Sequence, residues 1–149
     1  MIESLNILVG IDGSEHADRA LDFALELADK CKTSITILSV VPSFNIPIPI
    51  KNEKTEVLRT RVTHELRESH KKVLSEAIKK AKKIKPNLNI TTRLEEGQSA
   101  DKIIDIAKKG NYYMIVMGRR GLGSVETLFL GSVSHKVATK AECPVLIVK

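Results

Sequence analysis

Hydrophobic and polar positions follow two alternating patterns along the chain of 149 residues. Short apolar runs rich in β-branched residues are typical of strands, and apolar residues three and four positions apart are typical of amphipathic helices. The short runs predict strands at residues 5–11, 35–41, 88–94, 112–117 and 144–148. The periodic stretches predict four helices: one capped by Ser14, one over residues 53–85, one capped by Ser99 and closed by Gly110 as its C′ residue, and one over about residues 131–141.

The order of these elements predicts the fold class. Strands that alternate with helices need right-handed crossovers, which give a mainly parallel sheet with helices on both faces. We therefore expect one α/β domain over residues 1–149, with an extended loop at residues 42–54, where three prolines occur. Ligands of such sheets bind beyond the carboxyl ends of the strands, which here are Ile11-Asp12, Val40-Val41 and Met117-Gly118.

A glycine-rich loop follows the fourth predicted strand. It reads Gly118-Arg119-Arg120-Gly121 and, after nine further residues, Gly131-Ser132. Glycines permit positive φ and remove the Cβ that would keep the backbone away from a ligand. A helix that opens at Gly131-Ser132 would offer free N–H groups to an anion, and the arginines add positive charge. The loop favours a polyphosphate site over an ordinary turn followed by a helix start.

Other catalytic and nucleotide-binding motifs are absent from the sequence. No glycine is followed by lysine, as a Walker A motif requires, and a GxGxxG reading from Gly121 fails at Glu126. The four histidines do not suggest an active site, and a Ser132–His135 pair is better explained by cap and surface roles. Asp12 is the only carboxylate expected at the cleft. These absences favour binding over catalysis.

The charge and composition are those of a globular protein. Hydrophobic residues make up 42% and charged residues 28%, and the net charge is +6. The basic cluster at the end of the long helix (Lys79, Lys80, Lys82, Lys83 and Lys85) is interpreted as a solvated helix end, where cations complement the helix dipole. Specific nucleic-acid binding is the weaker interpretation, because aromatic residues are only 3% of the chain.

Three further features bear on location. No apolar run approaches the length of a membrane span, and the early acid Glu3, without a basic n-region, predicts no secretion signal. Cys31 and Cys143 lack the spacing of a disulfide scaffold or a zinc site and are expected to be small buried hydrophobes. We expect a cytoplasmic protein.

Four separated segments resemble the universal stress protein family. They are Val9-Gly10-Ile11-Asp12-Gly13-Ser14-Glu15, Gly118-Arg119-Arg120-Gly121-Leu122-Gly123-Ser124-Val125, Gly131-Ser132-Val133-Ser134 and Cys143-Pro144-Val145-Leu146-Ile147-Val148. The resemblance covers the whole chain, and the glycine spacing is similar to that of the family's ATP-binding branch. It implies a five-stranded parallel sheet in the order 3-2-1-4-5 and a homodimer.

The resemblance also implies which residues bind the nucleotide. Gly10, Ile11 and Asp12 would contact the adenosine part, Val40 the adenine ring, Met117, Gly118 and Gly121 the ribose and phosphate path, and Gly131, Ser132 and Val133 the phosphates, with Ser134 nearby. Arg119 is included although the commonest family pattern has a small hydroxyl residue there. ATP is the expected ligand, with AMP, ADP and accompanying Mg²⁺ left open.

The function expected from these residues is that of a nucleotide-dependent regulatory or signalling module. The alternatives are a slow ATPase or phosphotransferase and a nucleotide-free adaptor protein. The apolar run at residues 145–148 lies at a sheet edge in the implied strand order. Because open edges invite pairing, we expect this strand to pair with its copy in a two-fold dimer.

Overall fold

The computed structural model describes residues 5–43, 52–121 and 130–149, and every structural statement below concerns these ranges. The elements alternate along the chain: β1 (Asn6–Gly10), α1 (Glu15–Cys31), β2 (Ser34–Pro42), α2 (Glu53–Ile84), β3 (Ile90–Gly97), α3 (Ser99–Lys109), β4 (Met114–Gly118), α4 (Ser132–Lys140) and β5 (Val145–Val148). Each predicted strand and helix is present, with ends that move by a few residues. The predicted loop at 42–54 and the stretch from Gly123 to Glu126 lie wholly or mostly outside the described residues.

The strands form one parallel sheet in the order β3-β2-β1-β4-β5, as expected. The register aligns Gly10 at the end of β1 with Leu38 of β2 and with Met117 of β4. The strand ends on either side of β1 therefore meet at one edge of the sheet, and α1 and α4 begin there. That edge is the place where this topology puts ligands.

Side chains of the central strands alternate between two apolar layers. On β1, Ile7 and Val9 pack with α1 and α2, whereas Leu8 packs with α3 and α4. All three side chains are buried, because helices cover both faces of the sheet. The period-two alternation thus produces a core on each side of the sheet.

Helix ends follow local chemistry in most places. The Ser14 side chain accepts a hydrogen bond from the Ala17 N–H, so it caps α1 as predicted. Two predictions about the ends of α3 were wrong. Ser99 is the first helical residue, not the cap, and Gly110 has φ −86° while Asn111 takes the left-handed conformation at φ 50°.

The basic end of α2 is partly an ion-paired surface, not only a solvated one. Lys80 and Lys85 reach carboxylates on α1: Lys80 is 2.7 Å from both Asp18 and Asp22, and Lys85 is 3.0 Å from both Glu26 and Asp29. These pairs lie between two helices that pack side by side on the sheet. The sequence pattern alone could not show them, because the partners are far apart along the chain.

Two other expectations about the surface have separate outcomes. Cys31 is exposed and Cys143 is half-buried, so the prediction of two buried thiols was wrong for Cys31. Cys31 is the last residue of α1, where the helix leaves the core. In the described part of the chain, no helix has the length and apolarity needed to cross a membrane.

Candidate functional site

A cavity of about 450 Å³ lies at the carboxyl ends of β1, β2 and β4. Its volume falls in the range of small-molecule sites. All of the predicted site residues except Arg119 line it: Gly10, Ile11, Asp12, Val40, Met117, Gly118, Gly121, Gly131, Ser132, Val133 and Ser134. These residues come from four parts of the chain: the carboxyl ends of β1, β2 and β4, each with the residues that follow, and the start of α4.

Most of the cavity wall is apolar. Ile11, Leu38, Val40, Ile103 and Met117 contribute to it, and each of these side chains is buried. The Ile11 N–H donates to the Leu38 carbonyl at 2.9 Å, which keeps the end of β1 attached to β2. A wall of this kind suits a flat, largely apolar group such as a purine ring.

Asp12 is the only acidic residue that lines the cavity in the described part of the chain. Its Oδ1 accepts a hydrogen bond from the Ser14 N–H at 2.9 Å, which fixes the turn between β1 and α1. Its Oδ2 lies so close to Gly121 that a Cβ on that glycine would collide with it. The glycine therefore allows the loop after β4 to approach the turn after β1.

Gly118 is required by packing within the chain. A Cβ there would lie 2.6 Å from the carbonyl carbon of His16 and 2.7 Å from its oxygen, in the first turn of α1. The glycines of the described residues with positive φ are Gly13 and Gly97, not Gly118 or Gly121. The sequence argument identified the right glycines, but their role here is close approach, not an unusual backbone conformation.

The two arginines after β4 differ in their surroundings. Arg119 does not line the cavity; its backbone N–H donates to the Val148 carbonyl, and its carbonyl accepts from the Gly131 N–H, both at 3.0 Å. Arg120, by contrast, is only 6% exposed and lines the cavity. The positive side chain within the cavity is thus that of Arg120, which sequence reasoning named as a basic loop residue but did not assign to the site.

The start of α4 forms the polar end of the cavity. Its N-cap is Gly131, which has no side chain to accept from the first N–H groups of the helix. Ser132 is exposed and lines the cavity. Arg120 lies beside Gly131, so the backbone donors, the positive end of the helix dipole and a positively charged residue are close together, which suits an anionic group.

Ser134 has a structural contact that the sequence did not suggest. The side chain is 3% exposed, and its hydroxyl donates to the carbonyls of Gly118 at 2.9 Å and Arg119 at 3.1 Å. A hydroxyl has one proton, so these carbonyls of the chain share it. Ser134 lines the cavity but chiefly attaches α4 to the end of β4.

Sequence reasoning also missed His70 of α2, a polar residue of the cavity. Its Nδ1 is 2.7 Å from the Ser39 Oγ, and burial lowers the pKa of the imidazole while the Asp12 carboxylate opposes that shift more weakly. A signal was present in the sequence: His70 lies four residues after Leu66 and four before Leu74, on the apolar stripe of the helix. A histidine on a buried stripe points toward the core, not toward solvent.

The remaining lining residues are Ala17, Pro42 and Ser99, which complete the wall from α1, β2 and α3. In the described ranges no group of three or more metal-ligating side chains lies together. The arrangement combines an apolar recess with a positively charged end. It can hold an anionic ligand with an apolar ring.

Comparison with known proteins is consistent with this geometry. The family model described as the Universal stress protein family matches residues 4–149. The chain is 32% identical over 150 residues to Universal stress protein YxiE of Bacillus subtilis, covering 96% of this chain and 97% of that protein.

Solved structures share the fold. Universal stress protein UspA from Lactobacillus plantarum superposes with a TM-score of 0.81 at 22% identity over the full length of both chains. A universal stress protein solved in complex with cAMP gives a TM-score of 0.71 at 25% identity, over 97% of each chain. The strand order and the helices on both faces are therefore those of this group.

Proposed function

The chain belongs to the universal stress protein family, and on that premise we propose that it is an adenine-nucleotide-binding regulatory module with ATP as its ligand. The observation that carries the proposal is one cavity with two kinds of lining. Buried apolar side chains such as Val40 and Met117 contribute one kind, and Arg120 and the start of α4 contribute the other. A nucleotide likewise combines a flat base with anionic phosphates.

The part of the cavity formed by the start of α4 and Arg120 is suited to a ligand that carries several negative charges. The first N–H groups of α4 lack intrahelical partners, and the helix dipole makes them a favourable place for phosphate oxygens. The buried guanidinium of Arg120 adds a full charge where solvent screening is weak. That a related protein was solved with cAMP supports an adenine nucleotide as the ligand class.

Regulation by binding is favoured over turnover. Hydrolysis of ATP ordinarily uses acidic groups that hold Mg²⁺ and a residue that orients the attacking water. Among the residues that the structure describes, Asp12 is the one acid that lines the cavity, and its Oδ1 accepts from the Ser14 N–H. We infer that the nucleotide acts by favouring one conformation or assembly state of the protein.

Titration calorimetry with ATP, with and without Mg²⁺, tests the proposal in wild type and in Gly121→Val. The valine would collide with the Asp12 carboxylate, so we expect at least a tenfold loss of affinity. Ala138→Val adds similar bulk to the exposed face of α4 and serves as the matched control. Absence of ATP binding to the wild type would refute the proposal, and faster turnover of labelled ATP by wild type than by Gly121→Val would identify a slow ATPase.

We further propose that β5 mediates a homodimer. β5 pairs with β4 at the edge of the sheet, and Val145–Val148 is an uninterrupted apolar strand whose residues are only half-buried. Edge pairing with a second copy would cover it. Light scattering should find a dimer for wild type and monomer or insoluble protein for Leu146→Lys, whereas a variant that stays dimeric would contradict this interface.

A further inference from the structure

The ring of His70 lies where α2 crosses the end of the sheet. It is half-buried and lines the cavity, while its neighbours on the same stripe, Leu66 and Leu74, are apolar. Within the described structure it shares the cavity with two charged side chains, Asp12 and Arg120. None of the predicted nucleotide contacts includes this residue.

The hydrogen bonds of Ser39 determine which imidazole nitrogen carries the proton. Ser39 is fully buried, and its hydroxyl donates to the Ile11 carbonyl at 3.0 Å. We assign the Nδ1–H of His70 as the donor in the 2.7 Å contact with this hydroxyl, because the single hydroxyl proton then serves the Ile11 carbonyl and both hydrogen bonds are made. A neutral His70 then carries its lone pair on Nε2, the nitrogen that remains for a ligand.

We propose that the Nε2 of His70 accepts a hydrogen bond from a donor group of the bound nucleoside and is thereby a specificity-determining residue of the site. The inference rests on the proposed nucleotide binding. Asp12 and the neutral imidazole are both acceptors, so this end of the cavity favours a ligand with hydroxyl or amino donors. Ribose hydroxyls and the adenine amino group are such donors, and the fully ionised phosphates are not.

The charges around His70 give the contact a pH dependence. The Asp12 carboxylate at the end of β1 acts electrostatically on His70, and Arg120 lines the same cavity. Three residues before His70 on α2, Arg67 pairs with Glu96 of β3 at 3.4 Å. Burial lowers the pKa of His70 below its usual value near 6.5. Acidification below that pKa places a proton on Nε2, turns the acceptor into a donor and removes the contact.

The expected size of the effect is that of one neutral hydrogen bond, about two- to tenfold in affinity. Calorimetric dissociation constants for AMP are measured between about pH 5 and pH 8 in wild type and variants. At each pH, the dissociation constant of the variant is divided by that of the wild type. Titration of the AMP phosphate affects both constants equally, so it cancels in this ratio.

Three variants separate the two nitrogens. His70→Asn keeps a donor near the Nδ1 position for Ser39 but places nothing at the Nε2 position. The ratio of its dissociation constant to that of the wild type should be about two to ten at pH 8 and approach one at pH 5. His70→Gln places an amide oxygen near Nε2, so its ratio should be close to one at pH 8 and below one at pH 5. His64→Gln, on the exposed face of the same helix, should stay at one throughout.

AMP analogues identify the donor group. Of the three analogues tested, 2′-deoxy-AMP lacks the 2′-hydroxyl, 3′-deoxy-AMP lacks the 3′-hydroxyl and IMP lacks the amino group. The His70→Asn ratio should fall to one for the analogue that lacks the contacting group. Three results would each overturn the proposal. The first is a His70→Asn ratio that is the same for all three analogues as for AMP, and the second is a ratio of one for AMP itself. The third is a wild-type affinity that rises relative to that of His70→Asn on acidification.

A measurement on the wild type does not depend on variants that fold. Nitrogen-15 resonances of the imidazole give the pKa of His70 with and without AMP. If Nε2 accepts from the ligand, AMP binds the neutral form better and must lower that pKa, by reciprocal linkage. A raised or unchanged pKa in AMP-saturated protein would refute the acceptor role, whereas absence of any AMP binding at pH 8 would instead refute the proposed function.

Discussion

Replacing each of the two serines at the start of α4 by alanine should lower a different property of the protein. Ser134 is 3% exposed, and its hydroxyl donates to the carbonyls of Gly118 and Arg119. Ser132 is exposed at the mouth of the cavity. We expect Ser134→Ala to reduce stability and Ser132→Ala to reduce nucleotide affinity.

The magnitudes follow from burial and hydrogen bonding. Ser134→Ala removes a buried donor from two carbonyls, a loss of about 1–3 kcal/mol. The Arg119 carbonyl keeps its 3.0 Å bond from the Gly131 N–H, so the lower part of that range, about 1–2 kcal/mol, is expected. Ser132→Ala, on the surface, should change stability by less than about 0.5 kcal/mol and weaken ATP binding about two- to tenfold.

Urea unfolding and ATP calorimetry on the same preparations measure both quantities. In thermal unfolding of the same variants, a loss of about 1–2 kcal/mol should lower the midpoint temperature by roughly 2–8 °C for a domain of this size. The reasoning is refuted if Ser134→Ala unfolds like wild type, or if it loses more ATP affinity than Ser132→Ala. Either result would mean that the Ser134 hydroxyl serves the ligand instead of the junction between β4 and α4.

Three further predictions concern packing and charge. Gly118→Ala should destabilise the protein by more than about 2 kcal/mol in urea unfolding, because its Cβ would lie 2.6 Å from the His16 carbonyl carbon. Burial lowers the pKa of His70 in the folded state, so the unfolded chain binds the proton more readily. The free energy of unfolding should therefore decrease as the pH is lowered past about 6.5, and it should decrease less in His70→Gln. Lys80→Ala should cost less than about 1 kcal/mol and less still at high salt, since its ion pairs are partly exposed.

Part of the site was accessible from sequence because it depends on local rules. The apolar runs gave the strands, and the carboxyl ends of β1, β2 and β4 then pointed to Asp12, Val40 and Met117, all of which line the cavity. Gly121 and Gly131 were identified from their spacing and also line it. The strand order itself came from the family resemblance, since periodicity does not say which strands are neighbours.

The residues that sequence reasoning missed are those whose role depends on a distant partner. His70 lies 31 positions from Ser39, with which it shares a hydrogen bond. The apolar stripe of α2 indicates that this histidine faces the core, but the polar group that it meets there depends on what packs against the helix. The pairing of Lys80 with acids on α1 has the same character.

The sequence by itself determined the order of strands and helices, the cap at Ser14 and the set of glycines, because these depend on residues a few positions apart. Only the tertiary structure decided that Arg120 lines the cavity and Arg119 does not, and that the Ser134 hydroxyl binds backbone carbonyls. The physical reason is that burial and hydrogen-bond partners are properties of the packed chain, where residues distant in sequence compete for the same donors and the same space.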